Sequence, residues 1–307
     1  MTRQLRKPNL SRRPGAWLDD HLAQIFLIPS LILIVGLIAY PAALTVYNSF
    51  TNMSMLTMKA TKFVGFQNYA MVLGGSEFWI SLINSLIFTV GSVGGQLMLG
   101  MVGALALQKI PFGRSAFRVG LLVPWTFPSV AMTFVWDWML DSGFGVINYA
   151  LMGLGIIGEP IAWFGTKTWA MFAVIVMNIW FGTPFMVLAL NAGMQTIPAD
   201  YYEVGKIEGA NFFQRLRYII LPSLKKIVGV LLILRTIWVF NNYDFIFLTT
   251  GGGPAKATQT VSIMAYFTAW KRSAMGRGSA ITILLLVFVA VMIALYFKFF
   301  KIDSEEA

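Results

Sequence analysis

An arginine, Arg235, stands near the middle of the apolar run 224–248. At bilayer depth a cation costs at least roughly a few kcal/mol unless it faces water, a carboxylate or a ligand. On a helix, positions 235, 238, 239 and 242 share one face, which here reads Arg235, Trp238, Val239 and Asn242. The run 168–192 carries a second face of the same spacing: Asn178, Phe181, Gly182 and Phe185. Gly182 permits close approach, and Pro184 is expected to kink the helix beside it. Amides that hydrogen-bond hydroxyls, with rings that stack on a pyranose, are sugar-binding chemistry. The guanidinium adds a planar fork suited to a sulfonate, phosphate or carboxylate on such a sugar. The other reading of Arg235 is an ion pair with a carboxylate on another chain. Asp244 lies about 13 Å further up the helix at its usual rise; it cannot pair with Arg235 and suits an outer gate.

A second constellation occupies the polar insert 203–222, between two long apolar runs. Pro198 suits the first turn of a helix, and Ala199 to Glu208 is expected to form one, broken at Gly209. Asn211 and Gln214 have capping-box spacing for a second helix. That helix is expected to run to Leu221 and stop at Pro222, because the residue before proline avoids the helical region. Phe212, Leu216, Ile219 and Ile220 share its apolar face. An amphipathic hairpin lying on headgroups would account for that face. It would not account for Glu203 and Glu208 next to an anionic leaflet, or for the bend at Gly209-Ala210, so a docking role is preferred.

Other chemistries are excluded or disfavoured. There is no cysteine, which removes disulfides and thiolate metal sites, and the one histidine is His21. No His, Asp or Glu cluster of a membrane enzyme is present, and neither a catalytic nor a metal site is expected. Gly251-Gly252-Gly253-Pro254-Ala255-Lys256-Ala257-Thr258 resembles a phosphate loop only superficially, since the Gly-Lys-Ser/Thr ending is missing. An ion-coupled secondary sugar carrier is the alternative reading. It usually keeps carboxylates within the membrane, whereas Asp137, Asp141 and Asp244 fall near the outer ends of their runs.

The elements that must position these residues follow from the composition. The 307 residues are 57% hydrophobic and 12% charged, against about 25% charged in soluble domains. Such a chain belongs in a bilayer. Six spans are expected, at 25–47, 80–107, 118–140, 168–192, 224–248 and 279–300, giving an all-α integral membrane protein. The first span is too long for a signal-peptide core and lacks an Ala-x-Ala site, so it reads as an uncleaved anchor. With the N-terminus inside, fifteen basic residues fall on inner segments and seven on outer ones. The inner ones include Arg3, Arg6, Lys7, Arg12 and Arg13; the outer ones include Lys59 and Lys62. The bias puts both termini in the cytoplasm, and it explains the net charge of +10 without nucleic acid. Gly91 and Gly95 form a GxxxG pair continued by Gly100, Gly103 and Ala104. Close helix packing inside one subunit is the preferred reading, with a subunit interface as the other.

The insert carries a resemblance. Glu203, Gly209-Ala210 and Ile220-Leu221-Pro222 resemble the EAA loop of binding-protein-dependent ABC transporter permeases. Val204 and Gly205 replace the usual two alanines, Glu208 the usual aspartate, and Lys226 a second proline often found there. Phe63-Val64-Gly65-Phe66-Gln67-Asn68-Tyr69, Asn84-Ser85 opening the second span, and Gly251 to Pro254 with Thr258 resemble elements of the sugar-type, MalF-like branch. The resemblance implies an ABC importer type I permease fold (MetI-like, MalF-like) in a bacterial inner membrane. It implies that Asn178, Phe181, Gly182, Phe185, Arg235, Trp238, Val239 and Asn242 line a midplane sugar site. Glu203, Val204, Gly205, Glu208, Gly209, Ala210, Leu221 and Pro222 would form the coupling surface for an ATPase. Residues 1–24 and 301–307 would be cytoplasmic tails, 25–300 the permease domain, and 193–223 its coupling loop. The expected partners are a homologous second permease, an ATPase dimer carrying ATP and Mg, an extracytoplasmic sugar-binding protein and the bilayer. No cofactor is expected on this chain itself.

Overall fold

The structure is a computed structural model that describes residues 26–57, 61–110 and 112–300. The basic residues of the N-terminal tail, His21, Lys59, Lys301 and the two tails 1–24 and 301–307 lie outside the described residues.

The regular secondary structure of the described residues is helical, apart from one antiparallel bridge between Thr51 and Phe63. The helices are α1 (Phe26–Ser49), α2 (Gln67–Leu73), α3 (Ser76–Lys109), α4 (Arg114–Thr126), α5 (Ser129–Met139), α6 (Val146–Gly153), α7 (Lys167–Met194), α8 (Ala199–Ile207), α9 (212–240), α10 (Asp244–Thr249), α11 (261–271) and α12 (Met275–Phe300). Four of them, α1, α3, α7 and α12, are long and apolar enough to cross a membrane, or five spans if the bent pair α4–α5 counts as one. The six expected spans are therefore not all matched by uninterrupted apolar helices. The membrane-length part of α9, Leu221–Phe240, carries Lys225, Lys226 and Arg235, which dilute its hydropathy.

Two expected spans are corrected. The run 118–140 is not one helix: α4 and α5 meet at 92°. Phe127, forced out of the helical region by Pro128, sits at φ −86°, ψ 143° and turns the chain. The run 224–248 ends early, at Phe240; a turn in which the Asn242 N–H bonds the Val239 carbonyl separates it from α10.

The elbow is corrected as well. Gly209 does end α8, with a left-handed φ of +68° that glycine adopts without penalty. The capping box forms as spaced: Gln214 N–H donates to Asn211 Oδ1, and Asn211 N–H donates to Gln214 Oε1. The following helix does not stop at Pro222. It passes through a π turn, Leu216–Ile220, in which the Leu221 N–H reaches back to the Leu216 carbonyl. A proline ring inside a regular helix collides with the carbonyl four residues back; the wide turn relieves that collision, and α9 continues to Phe240. The same device precedes Pro41, where the π turn Val35–Ala39 interrupts α1.

The frame is the pair α3 and α7. A Cβ on Gly91 would stand 3.0 Å from Ile175, on Gly100 2.5 Å from Met186, and on Gly103 2.6 Å from Val187. On Gly95 it would overlap Ile179. The small-residue stripe of α3 thus packs inside the subunit, against α7. One end of the bundle is closed by a polar joint. Asn84 Nδ2 donates to the carbonyls of Lys256 and Gln259 at 2.8 and 3.1 Å. Ser85 Oγ accepts the Val261 N–H at 2.9 Å, and Glu77 pairs with both Lys256 and Arg272. Asn84-Ser85 therefore does not open its helix, which begins at Ser76; it ties α3 to the glycine-rich loop. That loop turns through left-handed Gly251 and Gly252 and is closed by Thr258 Oγ1 donating to the Gly253 carbonyl. Asn68 likewise ties α2 to the end of α1, donating to the carbonyls of Ser49 and Thr51. At the opposite end, Ile220, Leu216 and Ile219 of the elbow pack with Ala104, Leu190 and Met194, so the elbow rests on the α3–α7 frame.

Candidate functional site

Arg235 is 4% exposed and projects from α9 between α3 and α7. Its Nε donates to Gln96 Oε1 at 2.8 Å. Gln96 Nε2 in turn donates to both the backbone carbonyl and Oδ1 of Asn178, each at 2.9 Å. Three buried side chains on three helices are thereby linked in series. The guanidinium lies 5.8 Å from the Phe185 ring centre and 5.6 Å from that of Trp238, within range for cation–π attraction. Trp125 of α4 stacks on Phe185 at 5.3 Å, and Phe185 tilts against Trp238 at 5.6 Å. Among the described residues no carboxylate forms an ion pair with Arg235; the two ion pairs found both belong to Glu77.

Beside this group lies a cavity of about 310 Å³. Asn178, Phe181, Arg235, Trp238, Val239 and Asn242 of the two expected faces line it, together with Trp125. The remaining two residues of those faces stand behind the lining. Phe185 supports the guanidinium. Gly182 leaves the space that the guanidinium and Gln96 fill: a Cβ there would overlap both. Asn242 reaches the cavity from the turn beyond α9 and not from the helical face expected of it; its Oδ1 is buried without a hydrogen-bond partner. Phe181 packs edge-on against Phe245 of α10. Pro184 lies within α7, which remains unbroken from Lys167 to Met194.

Gln96 and Trp125 are absent from the sequence-based expectation. Gln96 carries a legible signal, an amide inside an apolar run, of the kind that marks a functional partner in a membrane; the structure buries it completely. Trp125 has none, because its approach to Phe185 depends on the bend at Pro128. Asp244 bonds Ser129, whose Oγ donates to Oδ2 at 3.0 Å, joining α10 to α5.

At the elbow, Val204, Gly205, Ala210 and Pro222 line one groove of about 690 Å³, walled by Tyr201 and Tyr218. Gly205 is buried because Ile219 lies over it; a Cβ would stand 2.8 Å from the Ile219 side chain. Glu203, Glu208 and Gly209 are exposed outside the groove, and neither glutamate has an ion-pair partner among the described residues. Leu221 lines a separate, apolar groove between α3 and α9.

Residues 96–301 match the profile of the binding-protein-dependent transport system inner membrane component. The chain is 37% identical over 280 residues to the trehalose/maltose transport system permease protein MalF of Thermococcus litoralis, covering 91% of this chain and 94% of that one. It is 33% identical over 289 residues to the sulfoquinovosyl glycerol transport system permease protein SmoG of Agrobacterium fabrum, covering 93% of each. A chain of a bacterial ABC transporter involved in import of the acidic polysaccharide alginate superposes with a TM-score of 0.79 at 18% identity, over 96% of this chain and all of that one; this is a likeness of fold.

Proposed function

Because this chain belongs to the family of binding-protein-dependent transport system inner membrane components, and so is a multi-pass inner-membrane permease subunit of an ABC transporter with the all-helical MetI-like fold, we propose that its cargo is a sugar bearing an anionic group, held in the cavity beside Arg235. The chain itself is not an enzyme; ATP is hydrolysed by a separate subunit. One observation carries the substrate reading: a buried guanidinium with no carboxylate partner among the described residues, framed by Phe185 and Trp238 at the edge of a cavity. A lone buried charge is too costly to keep unless something neutralises it in the working cycle. The aromatic lining, with Asn178 and Asn242, suits a pyranose and its hydroxyls. The relative named for sulfoquinovosyl glycerol lends further support to a charged cargo.

In this reading six spans cross the membrane, α1, α3, the pair α4–α5, α7, α9 and α12, with both termini in the cytoplasm. Residues 25–300 form the permease domain, and 1–24 and 301–307 are tails. The loop 193–223 is the coupling surface, where Glu203 to Ala210 and Leu221-Pro222 meet an ATPase dimer that binds ATP and Mg. A homologous permease completes the path and an extracytoplasmic sugar-binding protein loads it. Closure of the ATPases moves the elbow, and the helices re-orient around the midplane cavity.

The test is uptake by the reconstituted transporter with Arg235→Leu. Loss of an oxyanion contact should reduce uptake of an acidic sugar by about tenfold or more, a change of about 1.4 kcal/mol, and spare a neutral one. Unchanged uptake of acidic sugars would sink the anion site. Equal loss for both classes would point to an ion pair with the partner permease instead.

A further inference from the structure

We propose that Gln96 is the positioning residue that makes this cavity a donor surface, selective for an oxyanion; the inference rests on the acidic-sugar reading above. An arginine can only donate hydrogen bonds. The Arg235 Nε contact therefore forces the Gln96 amide oxygen toward the guanidinium, and the Gln96 –NH2 must point the other way. It meets the Asn178 carbonyl and Oδ1, so both of those oxygens are acceptors. The direction of every bond in the series is thus set by chemistry and not by the choice between amide rotamers.

The consequence appears at the cavity wall. Asn178 has its side-chain oxygen occupied, which leaves Nδ2 as its free group; Nδ2 has no partner among the described residues. Arg235 has Nε occupied, which leaves both Nη groups without one. Asn178 and Arg235 both line the cavity, so the side-chain groups they have left for a ligand are donors. An oxyanion is the ligand chemistry that accepts from all of them. Gly182 keeps the arrangement compact, since a side chain there would displace both Arg235 and Gln96.

Gln96→Glu tests the polarity with little change of shape. The carboxylate would pair with Arg235 and could no longer donate to Asn178, whose amide would turn its oxygen outward. Asn178→Asp is the second variant: it keeps the Gln96 bonds and removes the outward donor. The measurement is the unfolding temperature of the purified, fully assembled transporter, titrated with sodium glucuronate and with glucose. For both variants the glucuronate midpoint should weaken by about tenfold or more, and by clearly more than the glucose midpoint. Parallel weakening toward both sugars would reduce Gln96 to a packing role and overturn the proposal, as would an undiminished glucuronate response. If the unaltered transporter does not respond to glucuronate, the acidic-sugar reading itself falls, and this outcome is distinct from a change in selectivity.

Discussion

Gly182 decides how close Arg235 can stand to α7, because the guanidinium and the Gln96 amide occupy the volume that any side chain there would need. Gly182→Ala should therefore move the arginine without removing its charge. The expected result is a rise of about tenfold in the apparent KM for an acidic sugar with unchanged amounts of protein in the membrane, read by uptake and by quantitative immunoblot. At this scale much of the site was legible. Arg235 stands out in any sequence because a cation in an apolar run demands an explanation, and the spacing of its neighbours follows from the helical period. Gln96 is legible in principle, though an amide is less conspicuous than a charge. The roles within the face were not legible: spacing cannot tell that Phe185 supports the guanidinium while Phe181 lines the cavity.

Helices α3 and α7 owe their pairing to absent side chains. Lipid tails are as apolar as leucine, so close backbone approach and dispersion drive association where the hydrophobic effect does not. Gly95 is the tightest of these positions on α3, with Ile179 filling its space. Gly95→Leu should cost about 1–3 kcal/mol by overpacking, seen as a lower unfolding temperature in detergent and reduced membrane insertion; Gly94→Leu, where nothing lies within 4 Å, should be tolerated. Prolines were harder to read than glycines. Pro128 breaks a span that composition presents as continuous, whereas Pro222 and Pro41 sit in helices that continue, each just after a π turn. The local rule that proline ends a helix is correct about the clash and silent about the wide turn that avoids it. That turn at 216–220 is held in place by the packing of Ile220 and Leu216 on the frame.

As a whole molecule the chain has two ends with different chemistry. One is laced by Asn84, Ser85, Gln259 and the Glu77 pairs; the other exposes Tyr201, Val204, Ile207 and Tyr218 around a groove. The proposed topology puts the first outside and the second in the cytoplasm. Since the protein has no cysteine, single cysteines report orientation without further engineering. A cysteine at Ile207, 83% exposed, should react with a membrane-impermeant maleimide in inside-out vesicles only, and one at Lys256 in spheroplasts only. The reverse pattern would overturn the orientation and, with it, the assignment of the elbow to an ATPase.

The amino-acid sequence by itself determined that the protein is a helical membrane protein, which runs are apolar, that the insert 203–222 is a capped helical elbow, and that Arg235 is anomalous. These are local properties: composition sets the solvent, and a period of 3.6 residues sets the faces. Tertiary structure alone decided that the glycine stripe faces α7, that the Pro128 bend brings Trp125 to Phe185, and that Gln96 joins Arg235 to Asn178. The arginine contact spans 139 positions of the chain. No local pattern records such a partner, because a hydrogen bond depends on where three helices are brought together and not on the order in which their residues are joined.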